Sequence, residues 1–147
     1  MIIALGCDHG GLDLKNNIIE HLKHKGIETK DFGAYDCNSC DYSDFAVPVC
    51  ESVISKESDF GILVCGTGVG MSISANKIQG IRCALLSDVF SAKATRSHND
   101  SNVMALGARV VGAGLALEIV DAFLATAFSK EPRHEKRIEK IKNIKMR

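Results

Sequence analysis

Short apolar runs alternate with segments of helical spacing along nearly the whole chain, and this alternation limits the folds open to it. The clearest run is Phe60–Cys65, which leads directly into Gly66-Thr67-Gly68-Val69-Gly70. Ile2–Cys7, Ile81–Leu86, Val103–Leu106 and the weaker Ile27–Phe32 complete a set of five predicted strands. A strand that is apolar on both faces must be covered on both faces, as happens in a parallel sheet between two helical layers. The intervening segments suit those layers. Leu14, Ile18 and Leu22 lie four apart with Ile19 beside them, so an amphipathic helix is expected to stop near Gly26. Phe45–Ile54 is expected to be a helix carrying Pro48 near its start, where proline is tolerated. Further helices are expected around 71–78 and 89–97, and over Leu115–Phe128, with Leu115, Ile119, Val120, Phe123 and Leu124 on one side. Ile138, Ile141 and Ile144 repeat at three, so the terminal segment, about 131–146, reads as an amphipathic helix. The expected fold class is α/β, an α/β/α sandwich on a five-stranded parallel sheet, with no repeat and no linker.

A length of 147 residues fits a single domain spanning 1–147. Charge is balanced at 18 Lys+Arg against 18 Asp+Glu, which argues against whole-molecule attraction to nucleic acid or to an anionic membrane. The balance conceals a gradient: residues 130–147 carry eight basic and three acidic side chains, leaving an acidic body. No apolar run approaches the ~20 residues of a membrane span, and Met1-Ile-Ile-Ala lacks a basic leader region, so a cytoplasmic protein is expected. Six cysteines in that setting read as thiols. Cys37 and Cys40 form a C-x-x-C in a turn-rich stretch, without the second ligand pair that a structural zinc site would need. No metal is expected.

In such sheets ligands bind at the C-terminal edge of the strands. Three polar segments are expected to meet there: Asp8-His9-Gly10-Gly11, Cys65 through Gly70, and Ser97-His98-Asn99-Asp100 before the fifth strand. Three glycines in five residues between a strand and a helix leave backbone N–H groups free to face an anion or a developing oxyanion. No Gly-Lys-Ser/Thr follows, so the loop is not a Walker motif, and its G-x-G-x-G spacing fits a dinucleotide fingerprint poorly. Cys65 stands at the strand terminus, where the positive end of the next helix favours a thiolate able to act as nucleophile or base. Arg133 and Arg137 lie at i, i+4 on the terminal helix, a placement suited to bidentate capture of phosphate, and Arg109 is a similar candidate.

Together Asp8-His9-Gly10-Gly11, Asp41-Tyr42, Cys65-Gly66-Thr67-Gly68-Val69-Gly70, His98-Asn99-Asp100, Asn102-Val103 with Gly107-Ala108-Arg109-Val110-Val111-Gly112, and Arg133-His134 with Arg137 resemble the type B ribose 5-phosphate isomerases. Allose 6-phosphate and galactose 6-phosphate isomerases belong to the same family. The motifs occur in order over essentially the entire chain. The resemblance implies a Rossmann-like fold, no organic cofactor, and a homodimer or tetramer with active sites built from two subunits. It implies Cys65 as the base at C2 of the open-chain aldose, with Thr67 and the loop N–H groups of Gly66, Gly68, Val69 and Gly70 stabilising the enediolate. His98 would assist ring opening, and Asp8 would contact sugar hydroxyls and move protons between O1 and O2. Tyr42 and Asn99 would line the sugar site. His9, Arg109, Arg133 and Arg137 would hold the phosphate, some of them from the partner chain. A sub-branch of the family uses a glutamate just after the last loop glycine; Met71 stands there, so the chain resembles the cysteine branch.

Two readings from other classes compete. A non-catalytic nucleotide-binding module would use the glycine loop, with Asp88 as a ribose-binding acid. A thiol redox protein would rest on Cys37 and Cys40.

Overall fold

The computed structural model describes residues 1–144. Five parallel strands, β1 (Ile2–Cys7), β2 (Glu28–Asp31), β3 (Phe60–Cys65), β4 (Cys83–Leu85) and β5 (Val103–Gly107), form one sheet in the order β2-β1-β3-β5-β4. Among the described residues six helices join or follow them: α1 (Leu12–His24), α2 (Tyr42–Ile54), α3 (Val69–Asn76), α4 (Val89–Asn99), α5 (Ala113–Ala125) and α6 (Pro132–Lys142). The expected single-domain sandwich is present.

Side chains alternate across the sheet and feed two cores. Ile3 and Leu5 of β1, Ile62 and Val64 of β3, and Met104 and Leu106 of β5 pack with Leu14, Ile18 and Leu22 of α1 and Ile119, Val120 and Phe123 of α5. Ala4, Leu63, Cys65, Val103 and Ala105 point the other way, against Ala46, Val49, Cys50 and Val53 of α2 and Met71 and Ala75 of α3. Cys65 therefore belongs to the strand face covered by α2 and α3, at the last residue of its strand.

Several expectations shift, among them the helix expected over Leu115–Phe128, which spans Ala113–Ala125. The second helix begins at Tyr42 rather than Phe45, because its first turn, Tyr42-Ser43-Asp44, is polar and carries no apolar period. Pro48 is thus interior, and the ring removes the hydrogen bond its N–H would have given the Asp44 carbonyl. The terminal helix ends at Lys142, with Asn143 at its C-terminus; the remainder of the expected span, residues 145–146, lies outside the described residues. Ile141 and Ile144 are 50% and 76% exposed, so the apolar stripe of α6 is not covered by its own chain.

Residues 97–100 account for a further difference. They close α4 and precede β5, which places them at the N-terminal edge of the sheet and not at the edge where β1 and β3 end. A segment entering a parallel strand emerges at the opposite edge from a segment leaving one.

Candidate active site

The chain leaves β1 toward one side of the sheet and β3 toward the other, which makes the β1/β3 boundary the place where a crevice must open. The ladder sets Cys7 beside Val64 and Cys65 beside Gly107, so the ends of β1, β3 and β5 are level. A cavity of about 240 Å³ lies there, lined by Asp8, His9, Gly10, Tyr42, Cys65, Gly66, Thr67, Gly70 and Arg109.

Glycine lets these loops approach one another. A Cβ on Gly11 would meet the Val64 carbonyl oxygen at 2.5 Å, and one on Gly107 would meet the Thr67 backbone at 2.6 Å. Gly68 has φ +77°, in the left-handed region, and forms the N-terminal boundary of α3. Backbone bonds clip the third loop to the second: Ala108 N–H donates to the Cys65 carbonyl and Arg109 N–H to the Gly66 carbonyl, both at 2.9 Å. The Arg109 side chain runs alongside Gly66, within about 3.5 Å of where a Cβ would stand.

Cys65 is 4% exposed, and its Sγ accepts the Gly68 N–H at 3.0 Å. That donor comes from the N-terminus of α3, the end of a helix at which unpaired N–H groups gather. No other cysteine among the described residues has a backbone N–H directed at its sulfur. Burial pushes the Cys7 thiol up to about 11 and the Cys50 thiol up to about 12, which leaves both protonated at neutral pH. Asp8, 8% exposed, accepts the Gly10 N–H at 2.8 Å and so is fixed at the cavity wall. Thr67 Oγ1 accepts the Val69 N–H at 3.3 Å. Tyr42 opens α2 and lays its ring over Gly70, where a Cβ would approach the ring at 2.7 Å.

Asp8, His9, Tyr42, Cys65, Gly66, Thr67, Gly70 and Arg109 are thus brought together, with Gly68 and Val69 in the connecting loop. His98, Asn99, Arg133 and Arg137 do not line this cavity. They form a second group on α4 and α6, all four exposed. The His98 ring stacks on His134 with centroids 4.5 Å apart, and Ser129 N–H donates to the Ser97 carbonyl at 3.0 Å, tying the approach to α6 onto α4.

Sequence reasoning missed the residues that hold this second group in place. Asp100, at φ +47°, ends α4; its carboxylate takes Arg96 Nη1 at 2.8 Å and Arg82 Nη2 at 3.0 Å. Arg82 Nε also donates to the Asn99 carbonyl at 3.0 Å. The only available signal was Asp100 itself, following His98 and Asn99. Asp88 Oδ1 accepts the Ser91 N–H at 2.7 Å as the cap of α4, a structural role for the carboxylate that the nucleotide-binding reading invoked. Cys40 lies behind His9, its N–H 3.3 Å and its Sγ 3.9 Å from Nδ1.

Residues 3–141 match the family model described as Ribose/Galactose Isomerase. The chain is 48% identical over 145 residues to ribose-5-phosphate isomerase B of Escherichia coli, covering 99% of this chain and 97% of that one. It is 41% identical over 144 residues to the galactose-6-phosphate isomerase subunit LacB of Clostridium acetobutylicum, covering 98% and 83% respectively. The solved structure of Clostridium thermocellum ribose-5-phosphate isomerase B superposes with a TM-score of 0.95 at 49% identity, over 97% of this chain and 95% of that one.

Proposed function

The chain belongs to the ribose/galactose isomerase family, and we propose that it interconverts ribose 5-phosphate and ribulose 5-phosphate through an enediolate, with Cys65 as the base. The observation that carries this is the Cys65 sulfur, held by the Gly68 N–H beside Asp8 and Thr67 in one cavity. Aldose–ketose isomerisation needs a base, a site for a developing oxyanion and a clamp for the remote phosphate, and no redox partner. The Cys65 thiolate takes the proton from C2 of the open-chain aldose, and the C2–H electron pair becomes the C1–C2 double bond while O1 gains the charge. Thr67 and the loop N–H groups stabilise that charge. Asp8 carries the O2 proton to O1, and the Cys65 thiol returns its proton to C1, leaving the ketone at C2. Tyr42 lines the sugar site, and His9 and Arg109 bind the phosphate.

In this proposal residues 1–147 act as one sugar-phosphate isomerase domain, and two copies share each site. His98, Asn99, Arg133 and Arg137 lie on α4 and α6, away from their own cavity, so they serve the cavity of a partner in a homodimer. His98 assists opening of the furanose ring and Asn99 contacts the sugar, while Arg133 and Arg137 complete the phosphate clamp. Exposed Val69, Ile73 and Leu85 beside the glycine loop, and the uncovered Ile141 and Ile144, are the apolar surface available to such a dimer. Among the described residues no helix is long and apolar enough to cross a membrane, and the free thiols suit the cytoplasm.

The test is solvent deuterium exchange at C2 of ribose 5-phosphate, comparing the parent with Cys65→Ala. Exchange should fall by three orders of magnitude or more, about 4 kcal/mol of barrier; full activity in the variant would eliminate Cys65 as base. Ranking kcat/KM for ribose 5-phosphate, allose 6-phosphate and galactose 6-phosphate decides between five- and six-carbon substrates.

A further inference from the structure

The Cys37-Asn-Ser-Cys40 loop supplies no group to the proposed isomerisation, yet through Cys40 it contacts His9, which lines the cavity. Cys40 N–H points at His9 Nδ1 at 3.3 Å, and Cys40 Sγ stands 3.9 Å from the same nitrogen. His9 lines the cavity and Cys40 does not. The loop is braced behind this contact: Asn38 N–H donates to Asp36 Oδ1 at 2.9 Å, and Cys40 packs partly buried against the core shared by α1 and α5.

A backbone N–H can only donate. The nitrogen it faces must therefore present a lone pair, and an imidazole whose Nδ1 accepts carries its proton on Nε2. A proton on Nδ1 would set two N–H groups against each other. We infer that Cys40 is a positioning residue for His9, its main-chain N–H fixing His9 as the Nε2–H tautomer so that Nε2 is a ready donor to an anionic oxygen in the cavity. The assignment of that oxygen to the phosphate of a phosphosugar rests on the proposed function; the tautomer does not. The C-x-x-C spacing is then incidental to the role, since the group that acts is the amide.

Nitrogen-15 NMR of the histidine side chains in the free protein at pH 8 tests this directly. His9 should show an unprotonated Nδ1 and a protonated Nε2, and inorganic phosphate should shift the Nε2 signal and leave Nδ1 unprotonated. A protonated Nδ1 in the free protein would overturn the inference. Two variants separate the amide from the thiol. Cys40→Ala keeps the N–H and should preserve the tautomer, with KM for ribose 5-phosphate changed by less than twofold. Cys40→Pro removes the N–H; it should give a mixture of tautomers and raise KM about tenfold, with kcat within threefold. An unchanged tautomer in Cys40→Pro, or its loss in Cys40→Ala, would each refute the role assigned to the amide. If Cys40→Pro fails to fold, the parent spectrum decides alone. A protein with the Nε2–H tautomer but no isomerase activity would overturn the proposed reaction while leaving the tautomer assignment standing.

Discussion

Lys15 is fully buried on α1, and its pairing with Asp31 predicts an unequal response to removal of the two partners. The ammonium has three donors. They reach Asp31 Oδ1 at 2.7 Å, Asp31 Oδ2 at 2.9 Å and the Ala34 carbonyl at 2.7 Å, so the charge is completely satisfied. The carboxylate differs: its side chain keeps 30% of its exposure and also accepts the Gly33 N–H at 2.9 Å. Asp31→Ala strips the buried cation of its counter-charge and two of three acceptors, at a cost of about 3–5 kcal/mol. Lys15→Met replaces the charge with an apolar chain of similar length. Asp31 then rehydrates, the Ala34 carbonyl retains the Cys7 thiol as a weak donor, and the loss is about 1–2 kcal/mol. In urea denaturation the two variants should differ by roughly 2 kcal/mol. In a thermal melt the Asp31 variant should drop by roughly 6–20 °C at ~2–4 °C per kcal/mol. Equal losses, or a greater loss for Lys15→Met, would refute the view that the burial of the cation governs the pair. The pair also bears on the site: residues 31–34 brace the end of β1, with Ala34 N–H on the Cys7 carbonyl at 2.7 Å, directly before Asp8 and His9.

Gly70→Ala should leave the thermal midpoint within a few degrees, because alanine favours helix and the half-exposed Tyr42 ring can turn outward from the new Cβ. The same movement takes Tyr42 from the cavity, so kcat/KM for ribose 5-phosphate should fall about tenfold, or about 1.4 kcal/mol; an unchanged value would remove Tyr42 from the sugar site. His134 is held below the usual 6.5, first by burial and then by the neighbouring His98. The unfolded chain takes up that proton more readily than the folded one, so the contribution is fully present above 6.5 and is lost as pH falls. Amide exchange along α6 should accelerate as pH is lowered from about 7 to about 5, after correction for the intrinsic rate. Unchanged protection would show that His134 does not couple α6 to pH.

Much of the fold and half of the site follow from local pattern. Phe60–Cys65 could not be other than a doubly covered strand, since alternate residues must each find a core, and Leu63 and Val64 do so on opposite faces. The glycine loop after it was equally legible, because close backbone approach and a left-handed residue at Gly68 admit little else. The polar first turn of α2 was not, for it carries no apolar period, and the end of α6 was not, because the Ile138, Ile141, Ile144 spacing runs on past Lys142, where the helix stops.

The sequence alone identified Asp8, Cys65, Thr67 and Arg109 as strand-end groups, and their convergence follows from parallel strands having level C-terminal ends. Only the tertiary structure separated His98 and Asn99 from that edge, because the direction in which a segment meets the sheet is a property of the topology. Only it disclosed Cys40 behind His9, Asp31 beside Lys15, and Asp100 between Arg82 and Arg96. Those contacts join residues from different loops and helices, and no residue's type or spacing encodes which distant group will meet it. The result is that the proposed site residues stand at two ends of one chain, so that only a second copy could bring them together.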